Sequence, residues 1–364
     1  MTYMNNRRKF LKDTGLLLGG LSILPHLSFK PRYQKDKLGI CLVGLGNYSE
    51  NLLAPALQLT KHCELRGIVT GSPEKIPVWQ KRHGIPDKNV YNYETMHAIA
   101  NNDDIDVIYI VLPTGLHAEY AIKAAQTGKH VWSEKPMAKT VAECEAMMKA
   151  CEKNKVKLAI GYRMQHEPNT QTVIKWADTK PYGQIKKVRG DVGFNIANPG
   201  NTWRMDKELG GGLIYDVGVY AINGLRYITG KEPISVTGQH ENNRPELFKE
   251  VEEITTFNLD FGGGLTGSGK TSAAESVNIL RAECEKGWYQ LEPFQSYTGV
   301  KGKASDGTLL NTYIENQQAR QMDDDALSII NNRPMMVPGE EGLKDIAIVE
   351  AINKSAQKGS PVTL

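Results

Sequence analysis

The segment Ile40-Cys41-Leu42-Val43-Gly44-Leu45-Gly46-Asn47-Tyr48-Ser49 decides the fold, because an apolar strand runs directly into a glycine turn. Gly44 permits the tight turn, and Gly46 lets the backbone approach a pyrophosphate closely. The helix that follows offers free N–H groups and the positive end of its dipole. Ser49 stands where a third glycine is usual, and its small side chain still allows the helix to pack on the strand. The segment predicts a dinucleotide site that includes Gly44, Gly46, Asn47 and Tyr48.

Short apolar runs alternate with helical stretches on either side of this segment. The runs predicted to be buried strands are Leu38–Val43, Leu65–Val69, Val107–Leu112, Val131–Ser133 and Leu158–Ile160. Leu116–Gln126 and Val141–Asn154 lie between them and have helical spacing. Strands that alternate with helices predict right-handed βαβ units around a parallel sheet. We therefore predict an α/β Rossmann domain, a doubly wound parallel sheet, over residues 31–161.

The pattern changes after Pro168. Two predicted helices are followed by alternating strands and a closing helix: Thr170–Thr179, Gly212–Ile228, Ile234–Gln239, Glu253–Phe261, Leu265–Ala273, Val277–Cys284, Trp288–Pro293 and Gly342–Ala356. Successive strands joined by glycine-rich turns are typical of an antiparallel sheet. Residues 162–364 are therefore predicted to form an α+β domain with a large open antiparallel sheet.

Composition argues against several classes of function. The chain has 364 residues, with 44 Lys and Arg against 41 Asp and Glu and a net charge of +3. Because no face rich in Lys and Arg stands out, nucleic acid is not expected as a partner. The five cysteines form no CxxC pair and no metal-ligand spacing, so we expect neither a disulfide framework nor a metal site. Cys144 and Cys151 are predicted to be structural.

Residues 1–30 resemble a twin-arginine export signal. Arg7 and Arg8 stand just before an apolar run from Gly15 to Leu24, and paired arginines of this kind are read by an export receptor. The run is too short to span a bilayer comfortably. The pattern predicts an exported, periplasmic protein. The segment 24–28 is a poor cleavage site, so cleavage and retention as an anchor both remain open, as does the alternative of a basic tail before a short helix.

The end of the second predicted strand bears on the choice of cofactor. An Asp or Glu there would bind the ribose 2′-hydroxyl of NAD. The chain instead has Gly71 and Ser72, with Lys75 one turn further on. A hydroxyl and a cation suit a 2′-phosphate, so these three residues favour NADP over NAD. In the alternative, Glu74 reaches back and NAD binds.

Three residues are predicted to carry the chemistry. Lys135, in Ser133-Glu134-Lys135-Pro136, follows a buried strand and so lies at the carboxyl edge of the sheet, where ligands bind. Asp216 and Tyr220 are four residues apart and share one helix face. A tyrosine phenol is a poor base unless a cation stabilises the phenolate, and Lys135 would supply that charge. The alternative for Tyr220 is a tyrosine of the core.

A second phosphate-binding pattern is interpreted as a coincidence. Gly264-Leu265-Thr266-Gly267-Ser268-Gly269-Lys270-Thr271 satisfies the P-loop expression in full. A P-loop needs a buried strand before it and a helix after it. Here an antiparallel-type strand and a hairpin turn precede the pattern, and no long helix follows. The segment is therefore predicted to be a strand that binds no phosphate.

Five motifs together resemble the Gfo/Idh/MocA oxidoreductases over nearly the whole chain after the export signal, and most closely their glucose–fructose and exported aldose-oxidising branch. The motifs are Val43–Tyr48, Pro113–Glu119, Glu134–Pro136, Gly161–Arg163 and Gly210–Tyr220. Many members have His where Tyr220 stands, whereas the glucose–fructose branch has Tyr. The family's usual Pro-Asn is Pro113-Thr114 here. The resemblance implies further cofactor contacts at Pro113, Thr114, Leu116, His117, Glu134, Lys135, Arg163, Trp203 and Arg204.

The resemblance also implies an activity. Tyr220 would remove the proton of a sugar C1 hydroxyl while the C1 hydride passes to the nicotinamide, and Asp216 would orient the sugar. In this branch NADP stays tightly bound and is regenerated by a second sugar. In this family the antiparallel sheet commonly forms a dimer and tetramers are frequent, so the resemblance implies a homodimer or homotetramer through this sheet. Two alternatives remain open: an NAD(P)-dependent glycosidase on the same fold, and an exported nucleotide-binding protein without turnover.

Overall fold

A computed structural model of the chain describes residues 35–200 and 202–364, so the predicted export signal lies outside the described residues. Within them, six parallel strands form the first sheet in the order β3-β2-β1-β4-β5-β6. The strands are β1 Leu38–Val43, β2 Cys63–Val69, β3 Val90–Tyr91, β4 Val107–Ile110, β5 His130–Ser133 and β6 Leu158–Ile160. This order confirms the predicted doubly wound sheet. Only the two-residue β3 was not predicted, because it is too short to give a periodic signal.

Helices complete the Rossmann layer. They are α1 Ala54–Leu57, which continues a π-helical turn at Ser49–Leu53, α2 Ile76–His83, α3 Thr114–Gln126 and α4 Val141–Lys153. Helix α4 begins at a capping box, in which the Thr140 side chain accepts from the Glu143 amide and Glu143 accepts in return. Every residue of β4 is buried, as expected for a strand covered on both faces.

The second sheet has nine strands within the described residues, in the order β14-β13-β12-β11-β7-β10-β9-β8-β15. They are β7 Ile185–Gly193, β8 Ser235–Glu241, β9 Ile254–Asp260, β10 Thr266–Ser272, β11 Val277–Cys284, β12 Gly287–Leu291, β13 Gly302–Ala304, β14 Leu309–Leu310 and β15 Val362–Thr363. Its pairs are antiparallel, as predicted, except that β7 and β10 are parallel. The central β7 was not predicted, because Lys186, Lys187 and Arg189 interrupt its apolar pattern.

Four further helices hold the two sheets together. They are α5 Pro168–Thr179, α6 Val219–Thr229, α7 Gln317–Ile330 and α8 Gly339–Lys358. Helix α6 is buried along almost its whole length and packs on β7 and α5. Helix α8 packs on α4 and also on β8. Residues 35–364 consequently form one compact unit.

Two negative observations apply to the part of the chain that the structure describes. None of its helices is both long and apolar enough to cross a membrane. The same residues contain no group of three or more His, Cys, Asp or Glu side chains arranged to hold a metal ion. All five cysteines are free thiols, and Cys144 and Cys151 are buried in the core along α4.

Candidate active site

The glycine turn after β1 packs closely against the segment after β4 at Gly44 and is open at Gly46. Gly44 has φ of 92°, and a Cβ there would lie 2.4 Å from the Val111 carbonyl oxygen. The Ser49 hydroxyl donates to the Gly44 carbonyl at 2.6 Å, which closes the turn where the third glycine is usual. Gly46 is exposed, and no atom of the described residues outside its immediate neighbours lies within 4 Å of where its Cβ would be. The turn therefore leaves room for a ligand at Gly46.

Lys75 reaches this turn from the end of β2. Its Nζ donates to the Leu45 carbonyl at 2.6 Å. The Ser72 amide donates to the Thr70 hydroxyl at 3.0 Å, which fixes the backbone between β2 and Lys75. Glu74, the one acid between Val69 and Lys75, is exposed. Of the three residues predicted to select the cofactor, Lys75 thus contacts the glycine turn, while Gly71 and Ser72 stand at the strand end where an acid is usual.

The triple-glycine segment packs against the start of α3. The Gly115 amide donates to the Leu209 carbonyl at 2.8 Å. Gly210 has φ of 75°, and a Cβ there would lie 2.7 Å from Thr114. Pro113 and Leu116 flank this contact on either side. The predicted cofactor residues of α3 are therefore held by the loop that leads to Asp216 and Tyr220.

His117 joins two loops at the sheet edge. Its ring is buried, with Nδ1 at 2.8 Å from the Pro136 carbonyl and Nε2 at 2.8 Å from the Leu112 carbonyl. Burial lowers the pKa of His117, although both carbonyls act to raise it. Both ring nitrogens are thus engaged by the protein, and His117 clamps the loop after β4 to the loop that carries Lys135.

The structure brings Lys135, Asp216 and Tyr220 together. Lys135 Nζ donates to the Asp216 carbonyl at 2.7 Å and lies 3.6 Å from Asp216 Oδ1. The same Nζ lies 4.7 Å from the centre of the Tyr220 ring. Among the described residues, none forms a hydrogen bond with the Tyr220 hydroxyl. Its phenol is therefore free to bind a ligand beside a buried cation.

The segment carrying Asp216 is helical, as predicted, but it begins with a π-helical turn rather than a regular α-helix. Ile214–Gly218 forms a π-helical turn, and α6 continues it. Glu252 accepts the Ile214 amide at 2.8 Å, and a Cβ at Gly212 would lie 2.7 Å from that carboxylate. The predicted helix over Gly212–Ile228 agrees with the structure to within two residues at its start, where the Gly212 carbonyl accepts the Asp216 amide at 3.1 Å. Such π-helical turns are frequent at functional sites.

Electrostatic interactions keep Lys135 and Asp216 charged. Burial lowers the pKa of Lys135, but Tyr220, Asp216 and Glu134 together raise it by more than burial lowers it. The net pKa of Lys135 therefore lies above its ordinary value. Burial raises the pKa of Asp216, but Lys135 and Arg204 lower it more, and the net pKa lies below its usual range. The site consequently presents a cation and an anion side by side at neutral pH.

Arg204 approaches Asp216 from the exposed side. It lies in a 3₁₀ turn, Trp203–Met205, and its Nε donates to Asp216 Oδ2 at 2.7 Å. Its guanidinium lies 4.7 Å from the Trp203 ring centre, and 53% of the side chain is exposed. Arg204 therefore contacts the site through Asp216. The predicted cofactor contacts of Trp203 and Arg204 remain predictions.

Glu134 lies beneath the site in a buried polar layer. Tyr109 donates to Glu134 Oε1 at 2.6 Å, and Gln321 of α7 donates to the Tyr109 hydroxyl at 3.3 Å. Burial raises the pKa of Glu134 to about 7, although Tyr109, Lys135 and Arg163 act to lower it. Glu134 is thus partly protonated near neutral pH.

Arg163 is the centre of an aromatic cluster that sequence reasoning did not anticipate. It is fully buried, and its Nη1 donates to the Ser296 carbonyl at 2.7 Å and to Gln317. The guanidinium carbon lies 5.4 Å from the Tyr220 ring centre and 4.5 Å from that of Tyr297. Glu252, Tyr297 and Gln317 all contribute to the site, and no motif in the sequence marks any of them.

The described residues fit a dinucleotide. Thr114 Oγ1, Tyr48 Oη and two nitrogens of Arg163 are buried without a protein partner. They stand at the carboxyl edge of a parallel sheet, with the open side of Gly46 and the cation of Lys75 nearby. A buried polar atom without a partner is costly, so these groups suit a polar ligand that spans the edge. With a nicotinamide dinucleotide bound there, the cofactor would supply a hydride acceptor.

The P-loop-like segment is a strand, as predicted. Thr266–Ser272 is β10, paired with β9 and β7. A Cβ at Gly269 would lie 2.0 Å from the Phe257 ring, so this glycine makes room for an aromatic side chain. Lys270 forms an ion pair with Glu275. The glycines of this pattern therefore serve sheet packing.

We expect Lys270→Ala to leave cofactor binding and turnover unchanged, with a stability change under about 0.5 kcal/mol, because its ion pair is partly exposed. Isothermal titration with ATP and thermal unfolding of both proteins check this. Specific ATP binding that disappears in the variant would overturn the assignment of this segment.

Comparisons with known proteins identify the family of the chain. Residues 38–162 match the oxidoreductase family with NAD-binding Rossmann fold, residues 170–290 the GFO/IDH/MocA C-terminal domain, and residues 285–364 the oxidoreductase family C-terminal alpha/beta domain. The chain is 27% identical over 338 residues to D-xylose 1-dehydrogenase [NADP(+)] of Haloarcula marismortui, covering 89% of this chain and 92% of that relative.

Solved structures extend the likeness. Aldose-aldose oxidoreductase from Caulobacter crescentus, complexed with glycerol, is 37% identical with a TM-score of 0.87, covering 90% of this chain and all of the other. A levoglucosan dehydrogenase complex with NADH and levoglucosan is 21% identical with a TM-score of 0.77, covering 90% and 99%, which shows the shared fold. From its matched domains and its full-length relatives, the chain belongs to the Gfo/Idh/MocA family of NAD(P)-dependent oxidoreductases.

Proposed function

We propose that this protein oxidises an aldose at its C1 hydroxyl with tightly bound NADP, which a second sugar then reoxidises. The observation that carries the proposal is the position of Lys135 Nζ between Asp216 and the Tyr220 ring, at the sheet edge that also holds the glycine turn. One relative, 37% identical in sequence, is an aldose-aldose oxidoreductase, and a second is an NADP-dependent xylose dehydrogenase. Both names support a sugar as substrate.

Each residue of the site has a defined task in this proposal. Lys135 stabilises the phenolate of Tyr220 through its charge, and the Oη of that phenolate takes the proton of the C1 hydroxyl. Asp216, held by Lys135 and Arg204, accepts hydrogen bonds from sugar hydroxyls and orients the ring. The aldose loses the proton of its C1 hydroxyl to Tyr220. It also loses the C1 hydrogen with two electrons, as a hydride for which the nicotinamide would be the acceptor. The product is therefore an aldonolactone.

The test is to purify the protein without added nucleotide, release any bound cofactor, and identify it by chromatography. Aldoses are then offered with a second sugar as oxidant, and lactone formation is followed. We expect NADP(H) in the released fraction and one lactone per reduced sugar. Cleavage of an aryl glycoside without aldose oxidation would favour a glycosidase, and bound cofactor without any turnover would favour a binding protein.

The same proposal includes export and assembly. Arg7 and Arg8 before an apolar run support passage to the periplasm by a route that carries folded, cofactor-loaded proteins. Helix α6 packs on β7, and both β8 and β9 contain exposed residues. The exposed residues support a homodimer or homotetramer through this sheet, which light scattering would test.

Lys75→Ala is expected to weaken NADP binding by about tenfold or more, and NAD binding far less, because a charge-assisted contact with the 2′-phosphate is lost. Titration of both nucleotides into cofactor-free protein measures this. Lys81→Ala removes an exposed lysine of α2, the helix that begins directly after Lys75; it serves as the control and should change neither affinity. Equal losses for the two nucleotides would mean that Lys75 only supports the glycine turn through Leu45.

A further inference from the structure

The loop between β12 and β13 holds Tyr297 in a defined position. The amides of Phe294 and Gln295 donate to Asn278 Oδ1 at 3.0 and 2.9 Å. Arg163 then donates to the carbonyl of Ser296, the residue directly before Tyr297. Because three successive residues are fixed by side chains of other elements, the backbone that carries Tyr297 is well constrained.

The Tyr297 ring is supported on one side and open elsewhere. The Arg163 guanidinium carbon lies 4.5 Å from its ring centre, which is cation–π distance. The Tyr48 ring lies 6.2 Å away, tilted by 44°. Nevertheless 45% of Tyr297 is exposed. A large aromatic side chain that is both fixed and half exposed is suited to bind a ligand with an apolar face.

Tyr297 also lies close to the reacting groups. The same Arg163 guanidinium lies 5.4 Å from the Tyr220 ring, so both tyrosines pack on one cation. Burial and Tyr220 raise the pKa of Tyr297, while Arg163 and Lys135 act to lower it, and the net pKa lies above its ordinary value. The Tyr297 hydroxyl is therefore protonated at neutral pH and available as a hydrogen-bond donor.

We propose that Tyr297 forms one wall of the sugar site and contacts the C–H face of the aldose ring whose C1 hydroxyl meets Tyr220. This inference rests on the proposed function and deepens it, because it identifies a substrate-positioning residue. A tyrosine ring offers a broad apolar surface that is held at low conformational cost. Aldose rings have hydroxyls at their rim and C–H groups on their faces, so the flat ring of Tyr297 and the carboxylate of Asp216 suit complementary parts of the sugar.

The experiment measures kcat and KM for the best aldose in the full-length, NADP-loaded enzyme. We expect Tyr297→Ala to raise the aldose KM by about tenfold or more and Tyr297→Phe, which keeps the ring, to change it by less than about threefold. The NADP affinity should stay within about twofold in both variants. Tyr313→Ala removes an 82% exposed tyrosine and serves as the control with unchanged constants.

The outcomes separate this inference from the proposed function. A wild-type enzyme that oxidises no aldose overturns both. An active wild type with a normal KM in Tyr297→Ala overturns only the inference. Equal losses of NADP and aldose binding also overturn it, because Tyr297 would then support Tyr48 and the glycine turn. If the alanine variant fails to fold, Tyr297→Leu decides, since leucine fills the space without a flat ring and should also raise KM.

Discussion

Tyr220→Phe is expected to reduce aldose oxidation by about 10²–10⁴-fold while the fold and cofactor binding survive, because acid–base groups contribute rate factors of this size. The phenylalanine ring keeps the edge contact with Tyr162, whose centroid lies 6.1 Å away. It also keeps the cation–π contacts with Lys135 and Arg163. Only the hydroxyl is lost, and no described residue forms a hydrogen bond with it. The variant therefore isolates proton transfer from packing.

Single-turnover kinetics with preloaded NADP measures the effect, together with thermal unfolding of the variant. Tyr215→Phe is a matched control five residues earlier, where the hydroxyl donates to the Lys139 carbonyl at 3.0 Å. We expect the control to retain turnover within about threefold, since one hydrogen bond contributes about 1 kcal/mol to stability. Near-normal turnover in Tyr220→Phe would return Tyr220 to a packing role in α6.

The proximity of Lys135, Asp216 and Tyr220 could be predicted because their positions follow from local rules. Lys135 ends a buried strand, and parallel strands bring their carboxyl ends to one edge. Asp216 and Tyr220 are one turn apart on a segment with helical spacing. These rules hold even though the segment begins with a π-helical turn, because the wider turn leaves both residues in contact with Lys135.

The rest of the site depends on contacts between distant parts of the chain. Glu252 accepts the Ile214 amide at the start of the segment that carries Asp216, from 38 residues away. Tyr297 follows Arg163 by more than a hundred residues, and a hydrogen bond to Ser296 joins their loops. Neither residue stands in a periodic or motif-like pattern, so local sequence reasoning had no signal for them. The charged residues of β7 similarly interrupt the apolar pattern that would predict a strand at the centre of the second sheet.

Lys135→Met is expected to reduce turnover by about 10²–10⁴-fold, because the phenolate of Tyr220 loses its neighbouring cation. The methionine keeps most of the aliphatic volume, so folding should survive. Since Lys135 and Tyr220 act as one unit, Lys135→Met with Tyr220→Phe should lose less than the product of the two single losses. Fully multiplicative losses would mean that the two residues act independently. Lys149→Met, an exposed lysine on α4, is the control and should leave kcat unchanged.

The same variant should change stability at acidic pH through Asp216. In the wild type, Lys135 and Arg204 outweigh burial and lower the pKa of Asp216. A carboxylate with a lowered folded-state pKa stabilises the protein above its unfolded pKa, and this stability is lost as pH falls through the folded value. Without Lys135, burial is opposed mainly by Arg204, and the pKa of Asp216 rises toward its unfolded value. The stability lost between the unfolded and the folded pKa values is then smaller than in the wild type. Thermal midpoints over roughly pH 3 to 6 measure this difference, and the contribution of Asp216 should be absent in Lys135→Met with Asp216→Asn. An identical acid limb in wild type and Lys135→Met would show that the lysine does not hold Asp216 ionised.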